Sequence, residues 1–375
     1  MRFRLAKSQY KRWTVVIGLT LTLLAEAVVL PQAGRTQTNG YRRFIDWCTN
    51  REKLSASARQ TVKALLEEVR ATDCQRANQA LSERTTIGLT KAGIRDLRPV
   101  ASLTQLKVLH LHGNQLFDIT PLQALTGLEY LDLRDNQIND LGALKPLRNL
   151  KALLLSNNPI TNWSALPFLT RLTYLKLGKT QLTDLSPLRS LTQLDDLELY
   201  TNRITDLHPL QALIKLRSLS LSGNAISDLR PLQSLTNLNR LWLGDNQLSD
   251  IRPLQNLTKL EWLFLQNNQI QDLRPLQSLR WLQELSLDNN RIRDLSPLAS
   301  VTSLYRMDAR DNQIVELKPL SALPKLRYIR LSGNQIQTLR SVPPFKQEIY
   351  IDLKNNPIRE TICPVQPGTG SNCSF

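Results

Sequence analysis

The sequence predicts an α/β repeat solenoid: a parallel sheet on a concave face, short 3₁₀ or irregular segments on the convex face, and an α-helical N-terminal cap. Two observations carry this. Asparagine recurs every 22 residues, at Asn114, Asn136, Asn158, Asn202, Asn224, Asn246, Asn268, Asn290, Asn312, Asn334 and Asn356, interrupted only by Thr180 and preceded by a degenerate copy at Ala92. The leucines keep the same phase, as Leu238, Leu241, Leu243, Leu248, Leu254, Leu257 and Leu260 show for one period. A fixed period of this size marks a solenoid whose units bury their apolar faces only by stacking.

One period shows how each element arises. Leu241 and Leu243 alternate with Arg240, Trp242 and Gly244, a period of two that fits a short strand with one buried face. Asn246 follows where the chain turns inward, and a buried amide can bond backbone groups left free by the turn. Asp250-Ile251-Arg252-Pro253 opens the outer segment. Proline suits the first position of a helical turn, and Ser186, Ser296, Thr120 and His208 are expected at the preceding cap. Too few residues remain for a long α-helix. A dozen or so strands at about 4.8 Å spacing would give an inner arc of roughly 60 Å.

The pattern L-x-x-L-x-L-x-x-N-x-L/I, running from about Ile87 to Ile358, is that of the leucine-rich repeat. With its 22-residue period it resembles, beside the eukaryotic phosphatase-regulator type, the bacterial internalin type. That resemblance implies a horseshoe with a helical N-terminal cap and an inner face that engages partner proteins.

The remaining chain divides around residues 87–358. Residues 1–27 begin with Arg2, Arg4, Lys7, Lys11 and Arg12, continue through an apolar run from Trp13 to Leu24, and end at Ala25-Glu26-Ala27. This reads as a secretory signal peptide, with an uncleaved membrane anchor as the alternative. Either places the repeats outside the cytoplasm, secreted or periplasmic. Residues 34–86 form the cap: an ordered segment from Phe44, a helix over Ser57–Val69, and a second over Asp73–Leu81 with Asp73 as its cap. Residues 359–375 read as a closed C-terminal cap. Cys48 and Cys74 lie in the first cap, Cys363 and Cys373 in the second, so export implies two structural disulfides. Separations of 26 and 10 without a neighbouring histidine argue against a metal site.

The formal net charge is +16, of which the first 27 residues contribute +4, leaving +12. Export makes nucleic acid an improbable partner for this basic surface. No phosphate loop, nucleophile elbow or zinc-helix motif is present, so the expectation is a non-catalytic protein without cofactor or metal. His110 and His112 are expected on one strand beside Asp132, as exposed polar residues and not as a metal site.

The variable strand positions carry the functional reading, because the pleat sends them to one face. Trp242 and Phe264 are neighbours in one column, Arg240 and Trp262 in the next, with Tyr200, Asp196 and Glu198 on one flank and Arg306, Arg310 and Arg330 on the other. Exposed Trp, Tyr and Arg dominate interface hot spots. The predicted site is therefore Arg240, Trp242, Trp262, Phe264, Tyr200, Glu198, Arg306 and Arg330, a concave surface binding a partner protein, on a monomer. The alternative is an acidic polysaccharide or other polyanion. It would use these aromatics or an outer ladder of Arg230, Arg252 and Arg274, each two residues after Asp228, Asp250 and Asp272.

Overall fold

The computed structural model describes residues 40–360, 362–368 and 370–375; the expected signal peptide or anchor lies outside them. From residue 40 onward the chain is one compact unit.

Three helices open it: α1 (Phe44–Thr49), α2 (Ala56–Glu68) and α3 (Cys74–Glu83). Sequence periodicity alone did not show α1 as a helix. It is only six residues long, and Asp46 holds its start by accepting from the backbone N–H groups of Arg43 and Arg42. The α2 helix begins one residue before the expected Ser57, because Ser55 is its cap and accepts from Ala58 N at 3.2 Å. Asp73 caps α3 as expected, accepting from Arg76 N at 2.9 Å. The Cys48–Cys74 disulfide ties α1 to α3.

Ala58, Val62 and Leu65 line the buried side of α2. Polar bonds fix it to the first repeat: Gln60 Nε2 donates to Ala92 O (2.8 Å), Thr61 Oγ1 to Asp96 O (2.6 Å), and Gly88 N to Glu68 Oε1 (3.3 Å). The helices thus cover the apolar end that stacking would otherwise leave open.

The repeats form one open parallel sheet whose spatial order is its chain order. Its strands are β1 (Thr86–Gly88), β2 (Val108–His110), β3 (Tyr130–Asp132), β4 (Ala152–Leu154), β5 (Tyr174–Lys176), β6 (Asp196–Glu198) and β7 (Ser218–Ser220). They continue as β8 (Arg240–Trp242), β9 (Trp262–Phe264), β10 (Glu284–Ser286), β11 (Arg306–Asp308), β12 (Tyr328–Arg330), β13 (Tyr350–Asp352) and β14 (Asn372–Ser374). Every partner residue lies 22 positions away, as in Leu241 against Leu263. The last strand departs from expectation. It comes from the C-terminal cap: Cys373 pairs with Ile351 at the strand centre, and the Cys363–Cys373 disulfide closes the turn that brings it there.

The leucine columns are buried throughout, as Leu238, Leu241, Leu243, Leu254, Leu257 and Leu260 illustrate. Each fully buried leucine contributes about 1.5–3 kcal/mol. The asparagine column explains its own recurrence. Asn246 Nδ2 donates to Leu221 O and Leu243 O, both at 3.1 Å, while Oδ1 accepts from Ile226 N at 3.0 Å. One amide therefore joins two turns by groups that stacking would leave unpaired. At Thr180 the hydroxyl still donates to Leu177 O (2.8 Å), and Ile160 N, which would have needed the missing carbonyl, bonds to Asn158 O instead (3.0 Å).

The residue before each asparagine is left-handed, with φ near +55° at Asp245, Asn267, Asn289 and Asp311 and near +70° at Gly223 and Gly333. Gly, Asn and Asp tolerate that conformation best. Lys179, beside the one broken asparagine position, and Thr201, one repeat later, adopt it at greater cost.

Most outer segments are short 3₁₀ turns with proline at the first or second position, such as Arg252–Asn256. The cap assignment is corrected. Ser186, Ser296, Thr120 and His208 are the first residues inside their turns, and none of these turns has a capping side chain at the preceding leucine or isoleucine. The aspartate two residues earlier does the work: Asp184 accepts from Ser186 N (2.8 Å), Asp294 from Ser296 N (2.7 Å), Asp118 from Thr120 N (2.8 Å) and Asp206 from His208 N (2.9 Å). The outer face is least regular between 140 and 185, as expected. There a turn shifts to Leu166–Phe168 and an extra bridge joins Asp140 to Asn162. Among the described residues no helix is long and apolar enough to cross a membrane.

Candidate binding surface

The predicted columns assemble on β6 to β12. Trp242 stacks on Phe264 with ring centroids 5.9 Å apart and planes 3° from parallel. Arg240 lies over the Trp262 ring at 5.7 Å. The four residues make one apolar and cationic patch across β8 and β9. Trp242, Trp262 and Phe264 are half-buried: Trp242 and Phe264 shield each other, and Arg240 covers Trp262.

The charged flanks also differ from a simple acidic side and basic side. Glu198 is paired with Lys176 at 2.7 Å. Arg306 bonds to Asp308 (2.9 Å), Arg330 lies 3.8 Å from the same carboxylate, and Arg310 pairs with Asp288 (2.6 Å). Neutralisation within the sheet leaves the flanks polar but weakly charged. Asp196 is the exception. Its Oδ1 is buried with no hydrogen-bond partner. Burial pushes its carboxyl above the ordinary range and Glu198 adds to this, while Ser218, Arg240 and Lys176 oppose it.

Tyr200 lies two residues beyond the strand end at Glu198, over Gly178, where a Cβ would overlap its ring. Gln266 covers Gly244 in the same way. Only glycine permits these close approaches. Between Tyr200 and Trp242 opens a notch of about 330 Å³, lined by Asp196, Glu198, Tyr200, Ser218, Ser220, Arg240 and Trp242.

His110 sits on β2 beside Asp132, but His112 lies beyond that strand, 2.9 Å from Asp135 Oδ2 without hydrogen-bonding to it. Asp132 is buried and held by Arg134 at 2.6 Å. Among the described residues no group of three or more metal-ligating side chains gathers. The outer ladder is self-neutralised. Arg230, Arg252 and Arg274 each make a two-pronged bond to Asp228, Asp250 and Asp272, with closest contacts of 2.7, 2.7 and 2.8 Å.

Sequence reasoning missed one surface. Trp281 is 66% exposed, more than any residue of the concave patch. It borders a groove of about 570 Å³ beside the strand starts, with Lys215, Arg217, Asn237, Asn239, Lys259 and Glu261. Trp281 lies three residues before Glu284 at the head of β10, in the connecting turn, so the strand columns did not reveal it. Its signal was a tryptophan at a position that holds Lys215 and Lys259 in earlier repeats.

This architecture, with its asparagine column and 3₁₀ outer turns, defines a leucine-rich-repeat protein. Family profiles agree: "Leucine Rich repeats (2 copies)" matches residues 170–212, 214–256 and 258–300, and "Leucine rich repeat" matches 104–160. Within that class the chain is internalin-like. It is similar to an internalin from Listeria monocytogenes at 28% identity over 75% of this chain and 91% of that one, with a TM-score of 0.67. The functional domain of InlJ from the same organism, described as including a cysteine ladder, matches at 21% identity over 85% and 72%, TM-score 0.69. A third similar fold is the leucine-rich-repeat ectodomain of a plant receptor kinase from Arabidopsis thaliana, solved with Casparian strip integrity factor 2, at 23% identity over 70% and 37%, TM-score 0.56. A search of curated proteins returned no match.

Proposed function

We propose that this chain is an exported, non-catalytic scaffold that binds a partner protein on its concave face. The Arg240–Trp262 and Trp242–Phe264 pairs carry the reading. They place an aromatic and guanidinium cluster of hot-spot composition on a rigid sheet, where binding needs little further ordering. The two disulfides and the similarity to internalins support residence outside the cytoplasm, secreted or periplasmic.

The test is comparative capture from envelope and extracellular fractions. The baits are the unaltered chain and a Trp242→Ala/Trp262→Ala/Phe264→Ala chain shown to be fully folded at the capture temperature. A protein retained only by the unaltered bait supports the reading; equal retention by both removes the patch from it.

A second reading, acidic polysaccharide binding, is favoured by the Trp281 groove, where an exposed indole stands with Lys215 and Lys259. The outer ladder gives it no support, since each arginine is occupied by its own aspartate. Loss of binding between 50 and 300 mM salt, on the order expected from charge screening, would favour this reading.

A further inference from the structure

The notch over β7 has an unusual construction. Its two walls are built from side chains that lean away from it. On the β6 side, Tyr200 lies back over Gly178 and Glu198 reaches to Lys176 on β5. On the β8 side, Arg240 reaches to Trp262 and Trp242 to Phe264, both on β9. Between them β7 offers only Ser218 and Ser220, two of the smallest side chains available, so the floor is low. Tyr200, Glu198, Arg240 and Trp242 all pack toward the strand beyond, and the space over β7 is left open and preformed.

The polar groups facing this space are incompletely satisfied. Asp196 Oδ1 is buried with no partner, and Arg240, which lines the same notch, has a buried Nε without one. A buried carboxylate oxygen lacking a donor is costly, and the cost is relieved by whatever brings a donor. Glu198 is already balanced by Lys176, so Asp196, with Ser218 beside it and Arg240 opposite, supplies the remaining negative charge on this wall. The Trp242 and Tyr200 rings on either side suit the methylene stem of a long cationic side chain and attract its charge.

We propose that the notch over β7 is a socket for a cationic side chain, arginine or lysine, presented by the partner. Its charged head pairs with the Asp196 carboxylate, and its stem lies between Tyr200 and Trp242. This deepens the concave-face reading and rests on it for the identity of the ligand as a protein. The socket itself can be probed without the partner.

The experiment titrates the full chain with four small probes: N-acetyl-arginine methylamide, N-acetyl-lysine methylamide, and the uncharged N-acetyl-citrulline and N-acetyl-norleucine methylamides. Backbone amide shifts of Asp196, Ser218 and Ser220 and the Trp242 indole shift are followed by NMR. The two cationic probes are expected to shift this set saturably, at least fivefold more tightly than citrulline or norleucine. Asp196→Asn should abolish that preference, and Ser220→Leu, which fills the floor, should block all four probes. Equal binding of arginine and citrulline probes, an unchanged preference in Asp196→Asn, or no saturable shift with any probe would overturn the proposal. A cation preference with no partner captured by the concave patch would keep the socket and sink the protein-partner reading; capture without a cation preference would do the reverse.

Discussion

Trp242 and Phe264, 22 residues apart in sequence, stack at 5.9 Å with planes 3° from parallel. The stack follows from the repeat, since equivalent residues of adjacent parallel strands stand side by side. It also hides part of each ring, so removing one ring exposes its neighbour. Trp242→Ala should weaken partner binding by about 2 kcal/mol or more, the scale of a hot-spot residue. Folding stability should fall by only about 1 kcal/mol, because the ring is half-buried and the leucines beneath it are untouched. Calorimetric affinity and thermal unfolding of the same sample separate the two effects.

The asparagine column makes a sharper claim about stability. Asn246→Ala leaves Ile226 N, Leu221 O and Leu243 O without the amide that serves them. Unsatisfied buried groups of this kind should cost roughly 2–4 kcal/mol in total. Asn246→Thr should recover part of this, since Thr180 already shows a hydroxyl donating to the equivalent carbonyl. Denaturant titrations that found alanine and threonine equally damaging would refute the idea that the hydroxyl substitutes for half of the amide.

The N-terminal disulfide offers a local test. Cys48–Cys74 joins α1 to α3 across 26 residues, at the end where a solenoid frays. Replacing both cysteines by serine should lower stability by about 2–4 kcal/mol. Hydrogen exchange should rise first in α1, α3 and the amide of Gly88, while protection at β7 to β9 stays near its original value. Uniform loss of protection along the sheet would show that the cap and repeats open together.

Most of the fold was legible because the repeat prints its structure 12 times over. Leu241 and Leu243 alternate with outward residues, and Asn246 marks the turn, so strands, register and concave columns follow from spacing alone. The helical caps were harder. The α1 helix is too short to show a period, and the caps of the outer turns were assigned to Ser186 and Thr120 when the aspartate two residues earlier fills that role. The site was legible as a set of columns but not as a surface. Spacing placed Trp242 beside Phe264; it could not show that Glu198 would reach Lys176, or that Gly178 would let Tyr200 lie back and open the notch. Trp281 escaped because it stands in a connecting turn, outside the strand columns.

Asp196 ties stability to pH with a sign opposite to that of most carboxylates. Burial raises its folded-state pKa above the ordinary value of 3.8, so ionising it disfavours the folded state. That penalty is fully present above the raised folded pKa. It fades as pH falls through that value and is gone once the unfolded state is protonated as well. Asp196→Asn keeps the shape and removes the charge. It should therefore raise the melting temperature at pH 7, with the gain shrinking on acidification and vanishing below the ordinary aspartate range. The same substitution should remove the preference of the notch for cationic probes. Melting curves of both chains from pH 7 to pH 3 check the first half, and probe titrations at pH 7 check the second. A variant less stable at pH 7, or a gain that does not change with pH, would mean that Asp196 is stabilised where it sits and has no unmet need for a donor.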